Sequence, residues 1–124
     1  VGLVFTRPAD DSYREAVFGT DPGVVMLVVM AFAVVVGAPL FEELLFRGTL
    51  LPFLARRWGW GAAILVSGLL FGAIHLQPAG LPTLGVLGMV LGAAVRASGG
   101  LPAAVLLHAL WNGAILLLLR TMVG

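Results

Sequence analysis

The chain has 124 residues, of which 60% are hydrophobic and 10% charged, and its mean hydropathy is +1.10. Soluble domains carry about 25% charged residues, so this is not the composition of a water-facing globule. A net charge of +1, with no basic cluster larger than Arg56-Arg57, leaves no electrostatic footprint for nucleic acid, and the lack of cysteine excludes a disulfide scaffold.

Charge crowds at the start. Arg7, Asp10, Asp11, Arg14, Glu15 and Asp21 make residues 1–21 a polar lead-in. The lead-in lacks the basic start and small-residue cleavage site of a signal peptide, and Val1 reads as an internal residue of a longer chain. Residues 22–124 then read as one membrane domain.

A bilayer core of about 30 Å needs roughly 20 apolar residues at 1.5 Å per residue. Residues 22–41 form the first uncharged run, opened by Pro22, whose missing N–H is tolerated in a first helical turn. Residues 58–95 form the second, and the turn-making stretch Gln77-Pro78-Ala79-Gly80-Leu81-Pro82 divides it into two helices. Residues 97–119 form the last, with Gly99-Gly100 before the helix, Pro102 in its first turn and Arg120 at its end. The expected fold is therefore an all-α polytopic transmembrane bundle of about four segments. The third, from Leu81 to Val95, is short. It spans only if Arg96 snorkels to the interface, and a re-entrant hairpin is the alternative. Arginines divide evenly between the two sides, and the denser Arg56-Arg57 pair leans that side toward the cytoplasm. Helices this apolar gain little from the hydrophobic effect when they associate in lipid, so small residues must let backbones approach. The pairs Gly68/Gly72 and Gly88/Gly92 supply such faces.

The informative residues are those that lipid makes costly. A carboxylate at the centre of a spanning helix costs roughly 2.5–3.5 kcal/mol on insertion scales, and intramembrane ionisable groups come with partners. Glu42, Glu43, Arg47, His75, His108 and Asn112 lie in or beside the apolar runs. Glu43 and Arg47, four apart, share a helical face and are expected to pair, whereas Glu42 points about 140° away from Arg47. Glu42 is thereby left without a paired cation and open to proton exchange. His75 shares a stripe with Gly68 and Gly72 and so points into the bundle. His108 and Asn112, one turn apart, form a pair of hydrogen-bond donors of the type that clamps an oxyanion. Each residue also has a plainer reading: packing for the histidines, an interfacial cap for Glu42-Glu43, interhelical glue for Asn112.

Hydrolysis inside a membrane has a few chemical solutions, and the inventory prunes them. A cysteine nucleophile is impossible, an aspartyl dyad fails because every aspartate precedes the first span, and no histidine stands beside a glutamate as in a zinc-binding H-E-x-x-H helix. A serine–histidine dyad would have to use Ser67. Two solutions stay open. Glu42 could act as base on a water with His75 sharing the proton traffic, and His108 with Asn112 binding the oxyanion. Alternatively Glu42, His75 and His108 could ligate zinc or another divalent metal, with Asn112 or Glu43 behind them.

These residues carry a resemblance. Glu42-Glu43 followed by Arg47, with Pro39 before and Phe46-Arg47-Gly48 around the arginine, then Phe71 with His75, then His108 with Asn112, resemble in order the three motifs of the CAAX protease and bacteriocin-processing (CPBP, or Abi) intramembrane protease family. The family includes the CAAX prenyl endopeptidases. The resemblance implies an integral membrane endopeptidase, in a bacterial membrane, that cleaves prenylated CAAX-type proteins or matures bacterial peptides; its partners are membrane lipid and substrate. It places the catalytic glutamate at Glu42, the assisting histidine at His75 and the oxyanion pair at His108 and Asn112, with Glu43, Arg47 and Phe71 supporting. The family carries a metalloprotease label beside a metal-free glutamate mechanism. The geometry above leans to the glutamate, because a metal held by one glutamate and both histidines would take His108 out of its clamp with Asn112. A non-catalytic immunity or partner-binding module is the second reading and a proton-coupled transporter the third.

Overall fold

The computed structural model describes residues 22–123, and the lead-in expected over 1–21 lies outside the described residues. Every described element is helical, as the composition requires. The chain divides into two compact units between Phe32 and Ala33. The first contributes α1, Pro22–Phe32, whose Met26, Leu27, Val28 and Val29 are all exposed. A helix that is apolar on every side suits lipid rather than a water-facing surface.

The second unit opens on a π-helical turn, Ala33–Gly37, and continues through α2 (Ala38–Leu45), a second π turn (Phe46–Leu50), α3 (Leu51–Ile74), α4 (Leu81–Ser98) and α5 (Leu101–Val123). Each π turn lies just ahead of a proline, Pro39 or Pro52. Proline gives no N–H and its ring collides with the carbonyl four residues back, so widening the preceding turn keeps the helical path without that collision.

Three helical runs are long and apolar enough to cross a membrane: Gly23–Ile74, Leu81–Ser98 and Leu101–Val123. The four segments expected from sequence become three runs because Arg56 and Arg57 stay helical. The break falls at Gly59, with φ 81° and ψ 165°. That region of backbone space is open essentially to glycine alone. At 52 residues the first run would reach about 78 Å if unbroken, well beyond one bilayer core. The Leu81–Ser98 segment is one unbroken helix rather than a hairpin, and its 18 residues reach about 27 Å. Gly99 ends it in the left-handed conformation at φ 79°, donating its N–H to Val95 O. Arg96, in the last turn, lies over the Trp60 ring at 5.7 Å.

The turn between α3 and α4 falls at Gln77–Gly80, as the prolines predict, with Gln77 O accepting from Gly80 N and Leu81 N. It folds α4 back along α3 at backbone contact. A Cβ built on Gly88 would sit 2.8 Å from Gly68 Cα, and one on Gly72 would sit 2.9 Å from Gly85 N. The close approach therefore needs glycine at Gly68, Gly72 and Gly88, while Gly85 contributes its backbone and leaves room for a Cβ of its own. A Cβ on Gly92, paired with Gly88 by spacing, would meet only side chains at ordinary contact distance, Ile64 at 3.5 Å and Leu51 at 3.7 Å. Near the Gly59 end, Leu51, Leu54 and Ala63 form a small apolar core against Ile64 and Val95.

Candidate active site

The polar residues that the sequence marks as costly are drawn together around one buried carboxylate. Glu43, on α2, is fully buried, and its Oε1 accepts from Arg47 Nη1 at 2.9 Å and from His108 Nδ1 at 2.8 Å. The Arg47 pairing is the one that the four-residue spacing predicts, and it forms although Arg47 stands in the second π turn. The His108 pairing joins residues 65 apart in sequence, from α2 to α5. Spacing within a helix says which face a side chain occupies and nothing about its partner on another helix. The four-residue spacing accordingly pairs Glu43 with Arg47 and is silent on His108.

His108 is itself buried, and its other nitrogen, Nε2, stands 3.6 Å from Glu42 Oε2. Glu42 keeps 24% of its side chain accessible, yet Oε2 is buried and accepts no hydrogen bond from the described residues. The two neighbouring glutamates are thus sharply unlike. Glu43 is committed on Oε1 to two donors, with its buried Oε2 accepting no hydrogen bond from the described residues, while Glu42 faces an imidazole edge across a gap too long for a hydrogen bond.

His75 caps the C-terminal end of α3 and is half-buried. Its Nδ1 lies 2.7 Å from Phe71 O. A carbonyl only accepts, so Nδ1 carries the hydrogen, and in the neutral ring Nε2 is the basic atom. The same reasoning applies to His108, whose Nδ1–H is given to the Glu43 carboxylate. Its Nε2 is an acceptor when the ring is neutral and a donor when it is an imidazolium.

Phe71 links these groups. It is fully buried, with ring centroids 4.9 Å from His75, 5.4 Å from His108 and 5.3 Å from Phe46, all edge-on. The Arg47 guanidinium lies over the Phe71 ring at 4.7 Å. One aromatic side chain therefore walls both histidines and the arginine.

Asn112, half-buried, is placed differently from the sequence expectation. Its Nδ2 donates to Val34 O at 2.9 Å, in the first π turn. In a π register Val34 O would look five residues on, to Pro39, which has no N–H to give; the amide supplies one. Asn112 and His108 share a face of α5, but in this arrangement their donors go to separate acceptors.

Two alternative chemistries can be weighed against these positions. Ser67 is buried and donates to Ile64 O at 3.4 Å, within its own helix, rather than to a histidine. Among the described residues no three His, Asp or Glu side chains are gathered closely enough to hold a metal ion. The Nδ1 contacts leave Nε2 of both histidines as possible ligating atoms, but Glu42, His75 and His108 are not gathered into such a group, and no step below passes through a metal.

Comparison with known proteins gives a family. The model for the type II CAAX prenyl endopeptidase Rce1-like family matches residues 24–114, which contain every site residue above. The chain is also similar to an uncharacterized 24.3 kDa protein of Escherichia coli, 37% identical over 113 residues that cover 87% of this chain and 51% of that protein. It therefore spans about half the length of that curated relative. No solved structure matches. With three helical runs able to cross a membrane and the family match over most of its length, the chain is part of an integral membrane protein and belongs to the Rce1-like family of type II CAAX prenyl endopeptidases.

Proposed function

We propose that the chain carries the hydrolytic site of an intramembrane endopeptidase, with Glu42 as general base on water, acting on prenylated CAAX-type proteins or on membrane-associated peptides. The observation that carries this reading is the inequality of the two glutamates: Glu43 is fully buried and tied through Oε1 to Arg47 and His108, whereas Glu42 makes no pair with an arginine, keeps part of its side chain accessible and sets its Oε2 beside His108 Nε2.

In the proposed reaction Glu42 takes a proton from water while the water oxygen adds to the scissile carbonyl carbon. The oxyanion so formed accepts from His108 Nε2–H, which exists only in the imidazolium form because Nδ1–H is held by Glu43, and from Asn112 Nδ2–H, which leaves Val34 O to reach it. The C–N bond then breaks, and the proton held by Glu42 passes to the leaving amine with His75 Nε2 as relay. The hydroxyl proton left on the new carboxylic acid goes to the amine, so the products are a carboxylate and an ammonium, Glu42 and the histidines return to their starting forms, and atoms and charge balance.

The test is made on the whole protein, purified in detergent and assayed on prenylated and unprenylated peptides. Glu42→Gln is expected to insert and fold while losing roughly 10²–10⁴-fold in cleavage rate, the contribution usual for a positioned general base. Full activity in that variant would overturn the assignment. Cleavage is expected to survive a chelator in protein without stoichiometric metal, whereas chelator-sensitive cleavage by metal-loaded protein would replace Glu42 by a metal as the agent that activates water. If no peptide is cleaved, and joint replacement of Glu42, His75 and His108 leaves the protein's role in an immunity assay intact, the non-catalytic reading stands instead.

A further inference from the structure

Helix α4 brings no ionisable side chain to the site; its single charged residue, Arg96, lies at its far end. Its main chain does reach the site. Arg47 Nη2 donates to Gly88 O at 2.6 Å, while Nη1 of the same guanidinium donates to Glu43 Oε1 at 2.9 Å. A helical carbonyl has a second lone pair beyond the one used in its own ladder, so Gly88 O can accept this bond without giving up the helix.

We propose that the Gly88 carbonyl is a positioning group for the hydrolytic site, acting through Arg47 and Glu43 on His108; the proposal rests on the hydrolytic reading above. A guanidinium is a rigid planar fork, so fixing one arm fixes the direction of the other. Here Gly88 O fixes one arm and the Phe71 ring fixes the plane. The remaining arm then sets Glu43 Oε1, and Glu43 Oε1 sets His108 Nδ1 and with it the heading of Nε2 toward Glu42.

This assigns a second role to the close approach of α3 and α4. Gly88 stands where any Cβ would come within 2.8 Å of Gly68 Cα and 3.1 Å of Phe71 Cβ. A side chain at position 88 must push α4 away from α3 or displace Phe71, and either shift stretches the Arg47–Gly88 bond. Gly85, one turn earlier, would meet nothing closer than 3.8 Å, so a methyl there leaves α4 where it is.

The test compares Gly88→Ala, Arg47→Lys and Gly85→Ala in the whole protein, reading kcat and KM separately and following the His108 ring nitrogens by ¹⁵N NMR. Lysine keeps a cation for Glu43 but lacks the fork that serves two acceptors at once. Arg47→Lys and Gly88→Ala are both expected to lower kcat roughly 10–100-fold, as loss of an orienting hydrogen bond behind a reacting group does, with little change in KM. Both should also shift the His108 Nδ1–H resonance, and Gly85→Ala should do neither. An unchanged His108 resonance in folded Arg47→Lys overturns the proposal whatever happens to cleavage, as does Gly88→Ala with wild-type kcat. Glu42→Gln separates the two levels. If it is inactive while Arg47→Lys and Gly88→Ala match wild type, the positioning role fails and the hydrolytic reading stands. If it is fully active, that reading fails, and the NMR shifts alone judge the link from Gly88 to His108.

Discussion

Two adjacent glutamates in a membrane helix cannot both be spent in the same way, and their surroundings divide the work. Glu43 has no exposed side-chain surface and is bound through Oε1 by a cation and an imidazole; Glu42 retains a route to the outside and pairs with no arginine. Removing charge from each should therefore have different consequences. Glu43→Gln leaves Arg47, which is 2% exposed, buried with no counter-charge in contact. Breaking a buried pair in this one-sided way costs about 3–5 kcal/mol, so the variant is expected to lose folded protein in a detergent denaturation series. Glu42→Gln abandons no ion pair with an arginine and is expected to unfold at the wild-type midpoint. A Glu43→Gln protein that is fully stable would show that Gly88 O, the Phe71 face and the amide oxygen glutamine retains satisfy Arg47 without a counter-charge. Part of this was legible beforehand. The four-residue step from Glu43 to Arg47 is a helical-face argument, and it holds. The arginine's second acceptor was not legible, because a main-chain carbonyl is the same at every residue and leaves no mark in the sequence. Nor was the bond from Glu43 to His108, since periodicity orients a face without naming what it meets.

At the scale of elements, the prolines and glycines carried most of the legible signal, with different success. Gln77–Pro82 ends one helix and begins the next as expected, and Gly99 caps α4. The π turns were not foreseen, because a proline two residues past a turn can be accommodated in several ways and composition does not choose among them. Gly59 was not singled out either, since in sequence it is one glycine of the pair Gly59 and Gly61 that flanks Trp60. Their backbones tell them apart. Gly59 adopts φ 81° and ψ 165°, while Gly61 lies in the helix with nothing within 4 Å of where its Cβ would be. Gly59→Ala should therefore cost about 1–3 kcal/mol through backbone strain. Gly61→Ala should gain about 0.5–1 kcal/mol by removing glycine's entropy from a helix interior. Thermal midpoints of the two variants should move in opposite directions. Equal shifts would mean that the kink at Gly59 relaxes into regular helix at no cost, and that the first apolar run is not held to its break.

For the second unit as a whole, association of its helices has to come from packing and polar ties, because lipid offers no hydrophobic gain for bringing apolar helices together. The buried apolar set is small, and the leucines of α5 from Leu116 to Leu119 are all exposed, in keeping with that view. Two side-chain ties run from α5 back to the start of the unit: His108 to Glu43, and Asn112 to Val34 O across 78 residues of sequence. Asn112 is the residue for which the structural and the catalytic reading predict different magnitudes. As interhelical glue, its hydrogen bond is worth about 0.6 kcal/mol, the average for such bonds in a membrane protein, and at most about 1.7. As a donor to the oxyanion, its loss costs about 10²–10³ in kcat, or roughly 2.7–4 kcal/mol of transition-state stabilisation. Asn112→Ala is therefore expected to fold with a slightly lowered midpoint and to lose cleavage far beyond what that lowering explains. Asn112→Asp provides the control. Its carboxylate cannot donate to Val34 O or to an oxyanion, so it should lose the same activity as the alanine variant while repelling the Val34 carbonyl. Loss of activity in proportion to the loss of folded protein, in both variants, would make Asn112 a tie between the two ends of the unit and nothing more. The oxyanion would then be left to His108 alone.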